Sequence, residues 1–138
     1  MTKRDSKRPY LQPGRLADVI ALIQVLGFDE HAHRSESGLR EELQNEPASA
    51  DTWTKVASEH PEFFRVRPSG DHVVSLLARH VTPRGDSGRA PLPPDHVKEL
   101  VNVALSIHDR ELDQSRNWRV WLPLGGVTVG ALIAWLLR

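Results

Sequence analysis

Seven histidines are the side chains in this 138-residue chain best suited to chemistry near neutral pH: His31, His33, His60, His72, His80, His96 and His108. His31 and His33 fall in a loop beside Asp29 and Glu30, a composition that could hold a metal ion. Their spacing matches no established ligand pattern, and two near-adjacent loop histidines are ordinarily solvated. Ser75 and His72 share one predicted hairpin, but nothing beside them marks an acid partner or an oxyanion pocket. A glycine-rich phosphate loop, G-x-S-x-G and H-E-x-x-H are all missing. The chain has no cysteine, which excludes disulfides, thiolate zinc sites and thiol nucleophiles. The sequence therefore nominates no catalytic residue, no metal ligand and no cofactor, and predicts a protein that is not an enzyme.

Charge narrows the partners. Eighteen Lys/Arg balance eighteen Asp/Glu, which argues against a general binder of polyanions. Residues 1–80 carry eleven basic and twelve acidic side chains, and four of the bases lie in the first eight residues. Arg65, Arg67 and Arg79 fall on the predicted hairpin and could form a small basic wing, although scattered arginines on a strand pair are usually solvated. The third predicted helix offers Asp51, Lys55 and Glu59, a poor match to phosphate. Nucleic acid is disfavoured as a partner, and contact with an unknown protein is the better use for this surface.

The elements that must position these residues follow from apolar spacing. Residues 1–12 read as a disordered basic tail, open to weak attraction by anionic headgroups. From Pro13-Gly14, the stripe Leu16, Val19, Ile20, Ile23, Leu26 predicts a helix stopped by Gly27. A second short helix carries Leu39 and Leu43 and closes before Pro47. Ser49 is placed to cap a third, with Asp51 in its first turn and Trp53, Val56 and Ala57 facing inward. Phe63 and Phe64 follow as core plugs. FRVR and VVSLLAR then make a two-stranded hairpin around Pro68-Ser69-Gly70-Asp71. Three helices and a hairpin over 13–81 predict a winged-helix-like domain, in an α+β chain that is mostly α.

Residues 82–94, rich in Pro and Gly, read as a tether with neither helix nor strand. The Arg84-Gly85-Asp86 triplet inside it matches a cell-adhesion motif, a use at odds with a cytoplasmic linker. A juxtamembrane amphipathic helix over 95–119 starts at Asp95. Its Val97, Leu100, Ala104 and Ile107 hold heptad positions until Glu111 and Gln114 break them. That stripe suits either docking on the domain or a short pairing with a copy of itself.

The final run, 120–137, is uncharged and predicts a single transmembrane helix. Its nine Leu, Ile and Val residues supply roughly −3 to −5 kcal/mol of insertion energy. Trp118, Arg119, Trp121, Trp135 and Arg138 are the expected interfacial anchors in the lipid bilayer. The arginine excess before the run predicts a cytoplasmic N-terminal domain and a tail-anchored protein of the cell's inner (plasma) membrane. Gly126, Gly130 and Ala134, four apart, predict a face on which spans self-associate into a homo-oligomer.

Segments 15–27 and 49–66, with HPEFFR at 60–65 the most distinctive, resemble a family of small bacterial membrane proteins. That resemblance implies a winged-helix-like N-terminal domain and a C-terminal hydrophobic helix, and it implies no activity. The resulting expectation is a membrane-anchored recruitment module, with a membrane-tethered DNA-binding regulator or a membrane-perturbing effector as rivals.

Overall fold

A computed structural model describes residues 8–70 and 73–136, with side chains as far as Asn117. After a 3-10 turn at Pro9–Leu11, helix α1 spans Arg15–Phe28 and buries Val19, Leu22, Ile23 and Leu26 completely. No side chain caps α1; Gly14 sits before it in the left-handed region at φ 77°. A Cβ at Gly14 would meet that of Ala48 at 2.9 Å, so the backbone can approach that closely only without one. The first turn is pinned by charge instead. Asp18 accepts the amides of Ala48 and Ser49 at 3.1 and 2.8 Å, and Arg15 donates to Ser49 Oγ at 2.8 Å and to the Glu59 carboxylate.

Those bonds explain why Ser49 does not cap the third helix as its position suggests. Two buried charges require polar partners, and Ser49 supplies them. Thr52 caps α3 (Trp53–Ser58) in its place, accepting the Lys55 amide at 3.1 Å. Glu36, in the first turn of α2 (Glu36–Leu43), accepts the Trp53 and Thr54 amides at 2.9 and 2.8 Å and locks α2 to α3.

Gly27 is not a stop either. It lies inside α1, where a Cβ would come within 2.9 Å of Val97 Cγ2, so it is the notch that admits α5 (Pro94–Leu136). Val97 and Ala104 are buried in the core, with Leu100, Val101 and Ile107 packed against it. The apolar stripe of α5 thus docks on the domain.

Three short strands form one antiparallel sheet in the order β1 (His33–Arg34), β3 (Val74–Leu76), β2 (Phe64–Val66). The predicted hairpin gains β1 as a third member, and VVSLLAR, expected as a short extended run, leaves the strand after Leu76 for a short helix, α4 (Leu77–His80). Inside 82–94, β4 (Arg84–Gly85) pairs with β5 (Gly88–Arg89), and Leu92 is buried. The result is a mixed α+β domain of several helices and a small antiparallel sheet, an element order compatible with a winged-helix-like module.

The membrane part of the expectation is corrected. Among the described residues no helix is long and apolar enough to cross a membrane. Where its side chains are described, α5 is amphipathic: one stripe is spent on the core, while Asp95, Lys98, Glu99, Asp109, Arg110, Asp113 and Arg116 are exposed. The tail-anchored topology, the inner-membrane location with a cytoplasmic N-terminal domain, the bilayer as partner and the anchored recruitment module lose their support with the span. So do the tethered regulator and the membrane effector. Gly126, Gly130, Ala134, Trp118, Arg119, Trp121, Trp135 and Arg138 have side chains outside the described residues, so no homo-oligomer face or interfacial belt is drawn from them.

Candidate functional site

The outer face of the sheet collects polar chemistry that the sequence leaves dispersed. Side chains alternate along a strand, so β3 sends Val74 and Leu76 into the core and Ser75 to the opposite face, where it too is buried. His33 and Arg65 are the register partners of Ser75 on either side, which makes His33–Ser75–Arg65 one row across three strands. Arg67 lies two residues beyond Arg65 on the same face, opposite Val73, whose carbonyl accepts the Arg67 amide at 2.7 Å. Helix α4 folds His80 back over the row. Its Nε2 lies 2.9 Å from Ser75 Oγ, and its ring centroid 5.5 Å from that of His33. His33, Arg65, Arg67, Val73, Ser75 and His80 together line a cavity of about 120 Å³.

No carboxylate of the described residues is in that lining. Burial first, and then the positive charges of Arg89 and Arg65, hold His80 below the ordinary histidine value of 6.5. The imidazole is therefore neutral at pH 7 and shares one proton with Ser75 across their hydrogen bond. A serine bonded to a histidine is half of a nucleophilic arrangement, but the remaining groups here are two arginines, the His33 imidazole and a valine. Two exposed guanidinium groups on one face, with no ion pair among the described residues, are built to meet an anion.

The third arginine of the expected wing is elsewhere. Arg79 is completely buried under the sheet's edge, donating to the carbonyls of Leu26 at 3.0 Å, Asp29 at 2.6 Å, His31 at 3.0 Å and Arg89 at 2.6 Å. It ties the C-terminal end of α1, where the helix dipole favours a cation, to the following loop and to β5. Only its Nε lacks a partner among the described residues. The wing is thus Arg65 and Arg67, joined by His33 and His80 rather than by Arg79.

The chain matches no family model, no curated protein and no solved structure. The resemblance to small bacterial membrane proteins therefore gains no support, and its membrane half fails on the described helices.

The other sequence candidates separate in space. His31 is exposed and 3.4 Å from Asp29, whose carboxylate mainly serves Arg34 and the His31 amide. His33 belongs to the sheet. Among the described residues, no group of three His, Asp or Glu side chains could hold a metal ion. His72 lies outside the described residues. His60 is a core histidine, fully buried between Glu62 at 2.9 Å and Arg15 at 3.4 Å. The third helix offers little to a duplex: it has six residues, its Thr54 is held by Glu36, and Lys55 is its one base. Sequence reasoning missed His33, Ser75 and His80 as a group. The legible signal was the Arg-Val-Arg alternation at 65–67, which puts both guanidinium groups on one face.

Proposed function

We propose that this α+β domain is a non-catalytic recognition module that binds a phosphoryl group on the outer face of its sheet. The observation that carries this reading is the cavity in which Arg65, Arg67, His33, Ser75 and His80 converge without a carboxylate of the described residues. Arginine forks match phosphate oxygens in pairs, the Ser75 hydroxyl can donate to one more, and His80 can take up a proton once the anion offsets Arg65 and Arg89. Charge-assisted hydrogen bonds contribute about 1.5–3 kcal/mol each, so one arginine is worth roughly a ten- to hundredfold change in affinity.

Calorimetric titration of the full chain with inorganic phosphate tests the reading. Saturable binding that weakens at least tenfold in Arg65→Ala and in Arg67→Ala, with the circular dichroism spectrum unchanged, is the expected result. Equal binding by the parent chain and both variants, or none by any, would sink it.

A further inference from the structure

A second cavity of about 220 Å³ adjoins the first, and its walls include His33, Arg84, Ser87, Gly88 and Arg89. His33 lines both cavities, so the two meet at one residue. Arg84 and Arg89 are direct register partners in the β4–β5 ladder. Like charges directly opposite one another destabilise a strand pair, and this ladder is only two residues long. Arg89 relieves part of the repulsion by turning back to the Arg79 carbonyl at 3.1 Å. Arg84 is exposed and makes no ion pair among the described residues.

The backbone beside these two arginines is open as well. Gly88 adopts φ 103°, and a Cβ built on it would meet no atom within 4 Å. A glycine in that conformation with free space over it leaves the main chain approachable by a ligand. Among the described residues one acid, Glu30, stands on the wall of the second cavity and none on the first.

From this juxtaposition we infer that the ligand carries two linked phosphoryl groups, one held by Arg65 and Arg67 on the sheet and the next by Arg84 on the β4–β5 hairpin. The inference rests on the single-phosphoryl reading above and extends it to a pyrophosphate. The bridging oxygen would pass His33. Apart from the imidazoles of His31, His33 and His80, no aromatic side chain of the described residues lines either cavity. The pair of sites therefore reads the phosphates and offers a nucleobase little to stack on. Free pyrophosphate and the diphosphate of a nucleotide share this chemistry, and a nucleoside diphosphate is expected to bind no tighter than pyrophosphate itself.

The test is calorimetric titration of the full chain with phosphate, pyrophosphate and adenosine diphosphate, in chelator and at fixed ionic strength. Pyrophosphate should bind at least tenfold tighter than phosphate. Arg84→Ala should remove most of that advantage while changing phosphate affinity less than about twofold. Arg40→Ala, an equal charge change outside both cavities, should alter neither. Glu30→Gln should strengthen pyrophosphate binding alone. Pyrophosphate and phosphate binding equally well, or Arg84→Ala and Arg40→Ala behaving alike, would overturn the second site and leave the first standing. Absence of binding by every anion would remove the first reading, and the second with it. Tighter binding of the adenosine diphosphate than of pyrophosphate would overturn the assignment of the ligand as the pyrophosphate group alone.

Discussion

Two regions of this molecule are built around arginine and treat its charge in opposite ways. Beneath the sheet and at the start of α1, Arg79 and Arg15 are buried, and their hydrogen-bonding groups are nearly all answered. Carbonyls from α1, its following loop and β5 surround Arg79. Arg15 is met by Gln12, Ser49, Glu59 and His60. On the outer face Arg65, Arg67 and Arg84 are exposed and answered by no carboxylate among the described residues. A charge whose partners come from the chain itself holds the fold together. One left beside others of the same sign, around a cavity, awaits a partner from outside.

The sharpest way to break this comparison is to exchange the two classes. Arg79→Met should cost about 3–5 kcal/mol, because it orphans several buried carbonyls at once. That is a large share of the stability of a small domain, so the variant should unfold at far lower denaturant than the parent chain. Arg15→Met should behave similarly, since it strands Glu59 and leaves Ser49 Oγ and the Ser49 carbonyl without their donor. Near-parental unfolding midpoints for both would erase the distinction between the regions.

Arg65→Ala and Arg67→Ala probe the other side. Each should leave the urea midpoint within about 0.5 kcal/mol of parental stability, while lowering phosphate affinity at least tenfold. A variant that loses stability instead would show its arginine to be structural.

Proton linkage sharpens the same contrast. His80 holds its proton less tightly in the folded chain than in the unfolded one, so the unfolded state takes up more protons as pH falls below 6.5. Stability from this group therefore declines from pH 6.5 downward, and His80→Gln should flatten the decline between pH 7 and 5. Glu36 loses stability in the same direction but over a lower pH window. Burial raises its proton affinity, but the Thr54 hydroxyl and the Thr54 and Trp53 amides outweigh it and hold it below 4.5. Its stabilisation is complete above pH 4.5 and is lost as pH falls further. Denaturant titrations across pH 7 to 3 separate the two.

The smallest effect concerns Glu111, whose carboxylate accepts the Tyr10 amide at 3.1 Å from α5. Burial, with repulsion from Glu62 as a lesser cause, holds it above 4.5 against the pull of that amide. Its contribution is present below pH 4.5 and is lost as pH rises through the raised value. Glu111→Gln keeps the acceptor and should gain a few tenths of a kcal/mol at pH 7, read as a small rise in melting temperature. A loss would mean that the ionised form is needed there.

Much of the scaffold is legible in the sequence, for physical reasons that also mark where legibility ends. The spacing of Val19, Ile23 and Leu26 defines the buried face of α1, and Trp53, Val56 and Ala57 define that of α3. Strand β1 is two residues long, too short to show a period of two, so His33 reads as loop. Leu77 and Ala78 follow β3 with no turn signal, and the change to helix at α4, which carries Arg79 inward and His80 outward, is invisible locally. Gly27 reads as a helix stop because glycine does that more often than it serves as a notch, and only the approach of Val97 distinguishes the two. The site is half legible: alternation pairs Arg65 with Arg67, but register alone adds His33 and Ser75.

The most direct test of the central claim, that the sheet face binds a phosphoryl group, is an NMR titration of the histidine ring protons with and without saturating phosphate. A bound anion stabilises the protonated imidazole beside it. The His80 resonance should titrate below 6.5 in the free protein and move upward when phosphate is bound. A His80 curve indifferent to phosphate would contradict the account.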